Sequence, residues 1–208
     1  LNITQQVSIL CVISFTMTLV MVGGDFDLSV GSMASLSGMI AAVLWQQDVS
    51  LFGALGAAVL MGAFGGVFNG VLVAYAGLSA FVATLGTLTI FSGLALLVSD
   101  GKTIFGRAIP EIVGDFSRGG LPLAEGIQLP NLTLIAILVL ILMGIVLQHT
   151  VFGRNLHAVG GNREASLLAG VPVARLRLIA FAVNGVGAAV AGLIINLIHF
   201  KQAAYFSF

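Results

Sequence analysis

The sequence predicts an all-α protein, a polytopic bundle of transmembrane helices. Of its 208 residues, 59% are hydrophobic and only 8% are charged. A soluble domain carries about 25% charged residues, so this chain has too few charges to cover a surface in contact with water. The 27 glycines favour the same fold class, because small residues let transmembrane helices approach closely. A formal net charge of zero gives no reason to expect a nucleic-acid partner.

Six stretches with almost no charge are long enough, or nearly so, to cross a hydrocarbon core of about 30 Å. They cover residues 6–23, 28–45, 51–75, 80–99, 131–148 and 178–198. The first stretch lacks the basic start and the small-residue cleavage site of a signal peptide. Because Leu1 is already close to a span and Phe208 follows one closely, we expect a fragment that lacks sequence at both ends. We expect residues 1–208 to form a single transmembrane domain.

The two longest connections differ in charge, and this difference predicts the topology. Residues 149–177 contain four arginines and one acidic residue, whereas residues 100–130 contain three basic and four acidic residues. Basic residues accumulate on cytoplasmic connections, so we expect residues 149–177 inside and residues 100–130 outside. Counting spans then places residues 76–79 inside. Residues 23–27 form either a cytoplasmic turn or a break between helices within the membrane.

Glycines at every fourth position of the third stretch predict a helix contact. Gly62, Gly66 and Gly70 lie along one helix face, against which the backbone of a neighbouring helix can pack directly. Gly185 and Ala189 repeat the same spacing in the last stretch. A glycine face that lines a substrate path is the alternative interpretation.

No catalytic, cofactor or metal site is predicted. The sequence contains no G-x-x-x-x-G-K-[ST] loop for nucleotide phosphates, no H-E-x-x-H motif and no G-x-S-x-G motif. The single cysteine, Cys11, lies in an apolar stretch, and the three histidines lie at span ends or in connections. Asp25 and Asp27, at a break between spans, are the only charges expected near the membrane. Without ionisable groups inside the spans, coupling to protons or sodium is poorly supported, and an outside energy source is favoured.

The first of two unusual segments lies between the first two predicted spans. Gly23 and Gly24 free the backbone to turn, and Asp27 is well placed to N-cap a helix that begins at Leu28. A plain helix cap would account for Asp27 without any further function.

The second unusual segment lies in the arginine-rich connection. Glu164 in a first turn complements the helix dipole, Gly170 would end the helix, and Pro172 forbids its continuation. We therefore expect a short helix over residues 163–169 on the cytoplasmic side. A solvated connecting helix is the alternative.

Three motifs, in the same order along the chain, resemble those of one family, the sugar permeases of ABC importers of the ribose, xylose, arabinose and galactose type. G-G-D-F-D-L-S-V-G-S at residues 23–32 resembles the family's G-G-I-D-L-S-V-G signature, and F-V-A-T-L-G-T at residues 81–87 is similar to F-I-x-T-L-G-T. Residues 157–171 resemble the segment A-x-G-G-N-x-x-A-A-x-x-x-G-I. They also resemble the wider E-A-A…G loop through which importer permeases bind their ATPases.

The resemblance implies candidate site residues in both unusual segments. Those of the signature at the span break are Gly23, Gly24, Asp27, Leu28, Ser29 and Gly31. Those of the ATPase-coupling loop, within residues 149–177, are Gly160, Gly161, Asn162, Glu164, Ala165, Ser166 and Gly170. The chain departs from the family pattern where both Asp25 and Phe26 precede Asp27, where Ser92 stands for an arginine, and where Ser166 replaces the second alanine of E-A-A.

The resemblance implies the permease subunit of an ATP-driven importer in the bacterial cytoplasmic (inner) membrane, where it forms the translocation path for a monosaccharide. The implied partners are a cytoplasmic ABC ATPase, a periplasmic sugar-binding protein and a second permease copy, within the lipid bilayer. The subunit itself would be no enzyme and would hold no cofactor, since ATP would be hydrolysed on a separate chain. The alternatives are an ATP-independent secondary transporter or channel and, from another class, an intramembrane enzyme.

Overall fold

The computed structural model describes residues 2–102, 112, 115–116, 119–124 and 127–205. Its helices are α1 (Asn2–Val22), α2 (Val30–Gln46), α3 (Leu51–Ala74), α4 (Ala80–Val98), α5 (Asn131–His149), α6 (Val151–Gly161), α7 (Arg163–Leu168) and α8 (Val173–Tyr205). Two short strands, β1 (Gly120–Ala124) and β2 (Ile127–Pro130), pair antiparallel between α4 and α5.

Among the described residues, five helices are long and apolar enough to cross a membrane: α1, α3, α4, α5 and α8. Helix α2 is apolar but has only 17 residues, or about 26 Å at 1.5 Å per residue, which is less than a core of about 30 Å. The residues just before it, 25–29, form no helix. The prediction of an all-α polytopic membrane bundle is confirmed, and the second of the six predicted spans is shorter than the others.

The structure contains elements that the sequence did not predict. Helix α6 lies within the arginine-rich connection and buries Leu156 and Val159. Helix α8 begins at Val173, earlier than the predicted start at residue 178. Arg177 therefore lies in the second turn of α8 rather than in a connection, so the expectation that Asp25 and Asp27 are the only charges near the membrane was wrong.

Helix α8 lies at the centre of the bundle, where it contacts α1, α2 and α3. Its inner face carries small residues together with Phe181, which is fully buried. Small residues on a central helix let several neighbours approach at once, which supplies van der Waals contact where the hydrophobic effect between helices is absent.

The glycine face of α3 packs against α8. A Cβ at Gly62 would clash with the carbonyl oxygen of Gly185, and a Cβ at Gly66 would clash with that of Phe181. Gly70 continues the same face one turn further on. The two backbones therefore touch along two turns, and no larger side chain fits between them.

Contacts between elements show which connections share an end of the bundle. Arg177 of α8 donates a hydrogen bond of 3.2 Å to the carbonyl of Val73, near the end of α3. Gly160 of α6 lies directly against the carbonyl of Val22, the last residue of α1. The connections that meet there are residues 23–29, 75–79 and 150–172. We call this end of the bundle the arginine end.

The hairpin and the start of α5 lie at the opposite end. The Ser8 hydroxyl of α1 donates a hydrogen bond of 3.2 Å to Thr133 of α5, and Asn131 donates one of 2.9 Å to the carbonyl of Phe116. This arrangement agrees with the count of spans, and which end is cytoplasmic stays a prediction. Part of the predicted external connection lies outside the described residues: residues 103–111, 113–114, 117–118 and 125–126.

Candidate functional site

The structure brings the two unusual segments of the sequence together at the arginine end. Gly24 adopts a φ of +80°, a conformation that glycine reaches without steric cost. A Cβ at Gly24 would lie 3.6 Å from the Cα of Gly160. At Gly160 itself, the Val22 carbonyl occupies the space that a Cβ would need. The α1–α2 connection (residues 23–29) therefore rests on the C-terminal turn of α6, backbone against backbone.

Asp25 is the centre of an ion-pair cluster at this contact. Its carboxylate accepts hydrogen bonds from Arg177 Nε at 2.6 Å and Arg177 Nη2 at 2.8 Å. Arg163 Nη2 approaches the same carboxylate at 3.4 Å. The side chains of Asp25 and Arg177 are only 7% and 10% exposed, whereas Arg163 is 44% exposed. The bidentate pair is thus largely shielded from water, and Arg163 lies at the solvent-exposed edge of the cluster.

Asp27, two residues further on, lies deeper and is only 1% exposed. Its carboxylate accepts hydrogen bonds from the Ser29 amide at 2.9 Å and the Ser29 hydroxyl at 2.7 Å. The side-chain amides of Asn184 at 3.0 Å and Asn69 at 3.4 Å donate the other two. Burial raises the pKa of this carboxyl, which belongs to the connection between two spans, and the hydrogen bonds from Ser29, Asn184 and Asn69 lower it by less.

The predicted N-cap at Asp27 was only partly right. Helix α2 begins at Val30 with Ser29 in the N-cap position, rather than at Leu28. Asp27 does accept the Ser29 amide, as a capping carboxylate would, but its second oxygen points to Asn184 of α8. The side chain therefore links separate helices as well as closing a local turn.

Two further hydrogen bonds extend this network to α1 and α4. The Thr16 hydroxyl of α1 donates to Asn184 Oδ1 at 3.3 Å, and the Leu28 amide donates to Thr84 of α4 at 3.1 Å. Thr84 in turn donates to the carbonyl of Ala80 at 2.7 Å. Helices α1, α3, α4 and α8 are thus all joined to residues 27–29.

Sequence reasoning missed Asn69 and Asn184, which are both fully buried. An asparagine in the middle of an apolar span is itself a signal, because a polar side chain there must find a partner on another helix. Nothing in the sequence indicates which carboxylate each amide meets, since Asp27 is distant from both along the chain.

Helix α7 forms where the sequence predicted a short helix, and it ends at Leu168. The Asn162 side chain caps it by accepting the amide of Ala165 at 2.9 Å. Glu164 lies in the first turn and is exposed, and Gly170 adopts a φ of +80° just after the helix. The first-turn acid and the terminating glycine therefore have the expected local geometry, and the Asn162 cap was not predicted.

The remaining candidate residues differ in their surroundings. Ser166 is buried and donates to the carbonyl of Asn162 at 2.8 Å, whereas Gly161 and Gly31 have open space where a Cβ would lie. Among the described residues, no group of three His, Cys, Asp or Glu side chains is placed to hold a metal ion. The polar groups at the arginine end join separate helices.

The fold and this site define a multi-pass helical membrane protein whose polar groups join helices at one end of the bundle. A family described as the branched-chain amino acid transport system / permease component matches residues 1–207. The chain belongs to this family, and it is accordingly a protein of the bacterial cytoplasmic membrane.

Curated relatives show which members the chain is similar to. The L-arabinose transport system permease protein AraH of Escherichia coli K12 is 37% identical over 172 residues, which is 83% of this chain and 50% of that protein. The ribose import permease protein RbsC of Bacillus subtilis is 35% identical over 196 residues, 94% of this chain and 59% of that protein. The autoinducer 2 import system permease protein LsrC of Photorhabdus laumondii is 38% identical over 190 residues, which is 91% of this chain and 55% of that protein.

These relatives confirm the resemblance to sugar-importer permeases that the three motifs indicated. The chain spans between half and three fifths of the length of the relatives it matches. No solved structure matches this chain.

Proposed function

We propose that the full protein to which this chain belongs is the transmembrane permease subunit of an ATP-driven importer. It forms the translocation path for a monosaccharide that a periplasmic binding protein delivers. A separate cytoplasmic ATPase supplies the energy, and a second permease copy completes the path.

The exposed face of α7 is the observation that carries this proposal. Leu167 and Leu168 are 65% and 89% exposed on a helix of six residues that also presents Glu164. Exposed apolar side chains beside charged ones are typical of a protein contact surface and unfavourable in a helix that only meets water. The caps at Asn162 and Gly170 fix both helix ends, so the surface is presented in one orientation.

The contact between α6 and residues 22–24 supports a role in transmitting motion. Because Gly160 lies against the Val22 carbonyl without intervening side chains, a partner that displaces α6 and α7 also displaces the α1–α2 connection. A packed contact of this kind passes a shift on, since protein interiors are dense and compress little.

The relatives favour a sugar as the substrate class. The family description names branched-chain amino acid transport, whereas the relatives at 37% and 35% identity are named for arabinose and ribose. The motifs at residues 23–32 and 81–87 resemble permeases of the same sugar importers. A monosaccharide is therefore the substrate class that we propose.

An ATP-independent secondary transporter or channel is the rival function. Buried charge in such proteins often serves coupling to protons or sodium, and Asp27 is a buried carboxylate. Its hydrogen-bond partners, however, are neutral donors on Ser29, Asn69 and Asn184, which gives Asp27 a use in joining helices. The exposed leucines of α7 favour a protein partner at this end, which a transporter without an ATPase does not require.

Replacing Leu168 by serine in the full-length protein tests the ATPase contact. We expect ATPase co-purification and sugar uptake to fall about tenfold, the effect of losing about 1.4 kcal/mol of binding, at a normal membrane level. Val151→Ser is the matched control, because Val151 is 62% exposed at the same end but lies on α6. A wild-type protein that transports sugar without any co-purifying ATPase would support the rival function.

Two variants of the predicted coupling residues extend the test. Glu164→Ala and Gly170→Leu should both leave the membrane level normal and reduce uptake, because they alter the surface and the end of α7. An exposed substitution such as Glu164→Ala usually changes stability by less than about 0.5 kcal/mol, whereas Gly170→Leu adds about 1–2 kcal/mol of strain at a positive φ. Normal transport by both variants would rule out α7 as the ATPase contact.

A further inference from the structure

Arg163 connects the exposed face of α7 to the α1–α2 connection. It is the first residue of α7, and its guanidinium approaches the Asp25 carboxylate at 3.4 Å. The Arg163 side chain is 44% exposed, whereas that of Asp25 is 7% exposed. Arg163 can therefore leave this contact for water, while Asp25 has little access to water of its own.

Arg177 keeps Asp25 paired on the other side. Its two contacts of 2.6 and 2.8 Å form a bidentate pair, and such pairs fix geometry as well as charge. A third bond of 3.2 Å ties Arg177 to the Val73 carbonyl. Asp25 is consequently held to the start of α8 and the end of α3, and the Arg163 contact is the one that can be made or broken.

The connection leads from this pair into the bundle. Asp27, two residues beyond Asp25, is bonded to Asn69 of α3 and Asn184 of α8. If Asp25 moves along the chain direction, Asp27 moves with it, and the displacement is passed to α3 and α8 in the interior. A ligand or partner changes a conformational equilibrium only through contacts that differ between its states, and the Arg163–Asp25 contact can supply such a difference.

We propose that Arg163 is a positioning residue of the transport cycle, whose contact with Asp25 transmits displacement of α7 to the α1–α2 connection. The proposal rests on the proposed function, in which a partner ATPase moves α7. Asp25 does not belong to the signature that the chain resembles. Two residues, Asp25 and Phe26, separate Gly24 from Asp27 in this chain, whereas the family pattern has a single residue there. The contact therefore adds to the backbone packing between α6 and the connection.

The test uses the full-length permease with its ATPase and its binding protein in membranes. Arg163→Gln removes the charge at the edge of the cluster and leaves the Arg177–Asp25 pair intact. We expect the membrane level, ATPase co-purification and basal ATP hydrolysis to stay at wild-type values. Uptake, and the stimulation of hydrolysis by the sugar-loaded binding protein, should fall about tenfold, a usual size for coupling between two sites.

Two further variants make the result specific. Arg163→Lys keeps a positive charge near Asp25 and should recover most of the coupling. Arg175→Gln is the matched control, because Arg175 is an exposed arginine in the first turn of α8 at the same end. This variant should show wild-type uptake and wild-type stimulation of ATP hydrolysis.

Several outcomes would overturn the proposal. Wild-type coupling in Arg163→Gln would show that the contact transmits nothing, and loss of ATPase co-purification would make Arg163 a direct docking residue instead. A lower membrane level would make it a folding contact. These failures differ from failure of the proposed function, in which the wild-type protein itself would bind no ATPase.

Discussion

Two carboxylates that stand two residues apart in the α1–α2 connection are held in different ways. Asp25 is paired with two arginines at the end of the bundle. Asp27 accepts hydrogen bonds from the amides of Asn69 and Asn184 and from Ser29 in the interior. The first arrangement is a set of ion pairs with one partly exposed member, and the second is a buried network of neutral donors.

The two carboxylates are held differently because they lie at different depths in the bundle. Near the end of the bundle, a guanidinium such as that of Arg163 keeps part of its surface in water, so its desolvation penalty is small. In the interior that penalty would be several kcal/mol per ion, and asparagine amides provide donors without it. The partly exposed Arg163 can exchange its carboxylate partner for water at the edge of the protein, whereas the donors around Asp27 are buried.

The interior network depends on close contact between α3 and α8, and breaking that contact has the largest expected effect. Gly66→Leu would force apart the two helices that carry Asn69 and Asn184, at a cost of about 3 kcal/mol or more. The measurement is the yield and melting temperature of detergent-purified protein. Gly56→Leu on the same helix is the control, because a Cβ at Gly56 meets nothing within 4 Å. Equal yields for the two variants would show that the α3–α8 contact is unimportant for assembly.

Breaking the ion-pair cluster should have an effect of similar size. Arg177→Gln leaves the Asp25 carboxylate buried without its bidentate partner, which should cost about 3–5 kcal/mol of stability. In the double variant Asp25→Asn/Arg177→Gln no buried charge is left alone, so most of that loss should be recovered. A double-mutant cycle from thermal unfolding in detergent measures the coupling. Additive losses would mean that the two side chains do not act as a pair.

Asp27→Asn should cost less, about 1–3 kcal/mol, because it replaces one acceptor oxygen by a donor NH2 group that faces another donor, and leaves that donor unsatisfied. Thr16→Val, which removes the outer link to Asn184, should cost about 1 kcal/mol.

Melting temperatures at about 0.1 M and 1 M salt sharpen the comparison between the two clusters, since salt screens partly exposed charges most. The cost of Arg163→Gln should shrink in high salt, and that of Asp27→Asn should not. The same salt dependence for both would contradict the distinction between the two clusters.

The sequence predicted the helices well because their signals are local. Apolar length alone locates α1, α3, α4 and α5, and the acid at Glu164 and the glycine at Gly170 bracket α7. Helix α6 was missed although it has readable signals. Thr150 accepts the amide of Gly153 as an N-cap, and Phe152, Leu156 and Val159 recur at the spacing of one helix face.

The partners within the site could not be predicted, because they are set by tertiary packing. Arg177 appears in the sequence as one of four arginines in a connection, and only the early start of α8 turns it toward Asp25. The hairpin was also hidden, since Pro122 within β1 argues against a strand. Pairing across distant segments therefore needs the fold, whereas caps and span lengths do not.

The smallest expected effect on stability comes from two substitutions that decide which end of the molecule is cytoplasmic. In a Cys11→Ser background, Asp115→Cys and His157→Cys each place one thiol at an exposed position, on the connection before the hairpin and on α6 respectively. An impermeant thiol reagent applied to intact cells should label residue 115 and leave residue 157 unlabelled until the membrane is opened. The reason is the excess of arginine over acid in residues 149–177, which favours the cytoplasm. The reverse pattern would place α7 outside the cell, where no ATPase could reach it, and both proposals for the arginine end would then fail together.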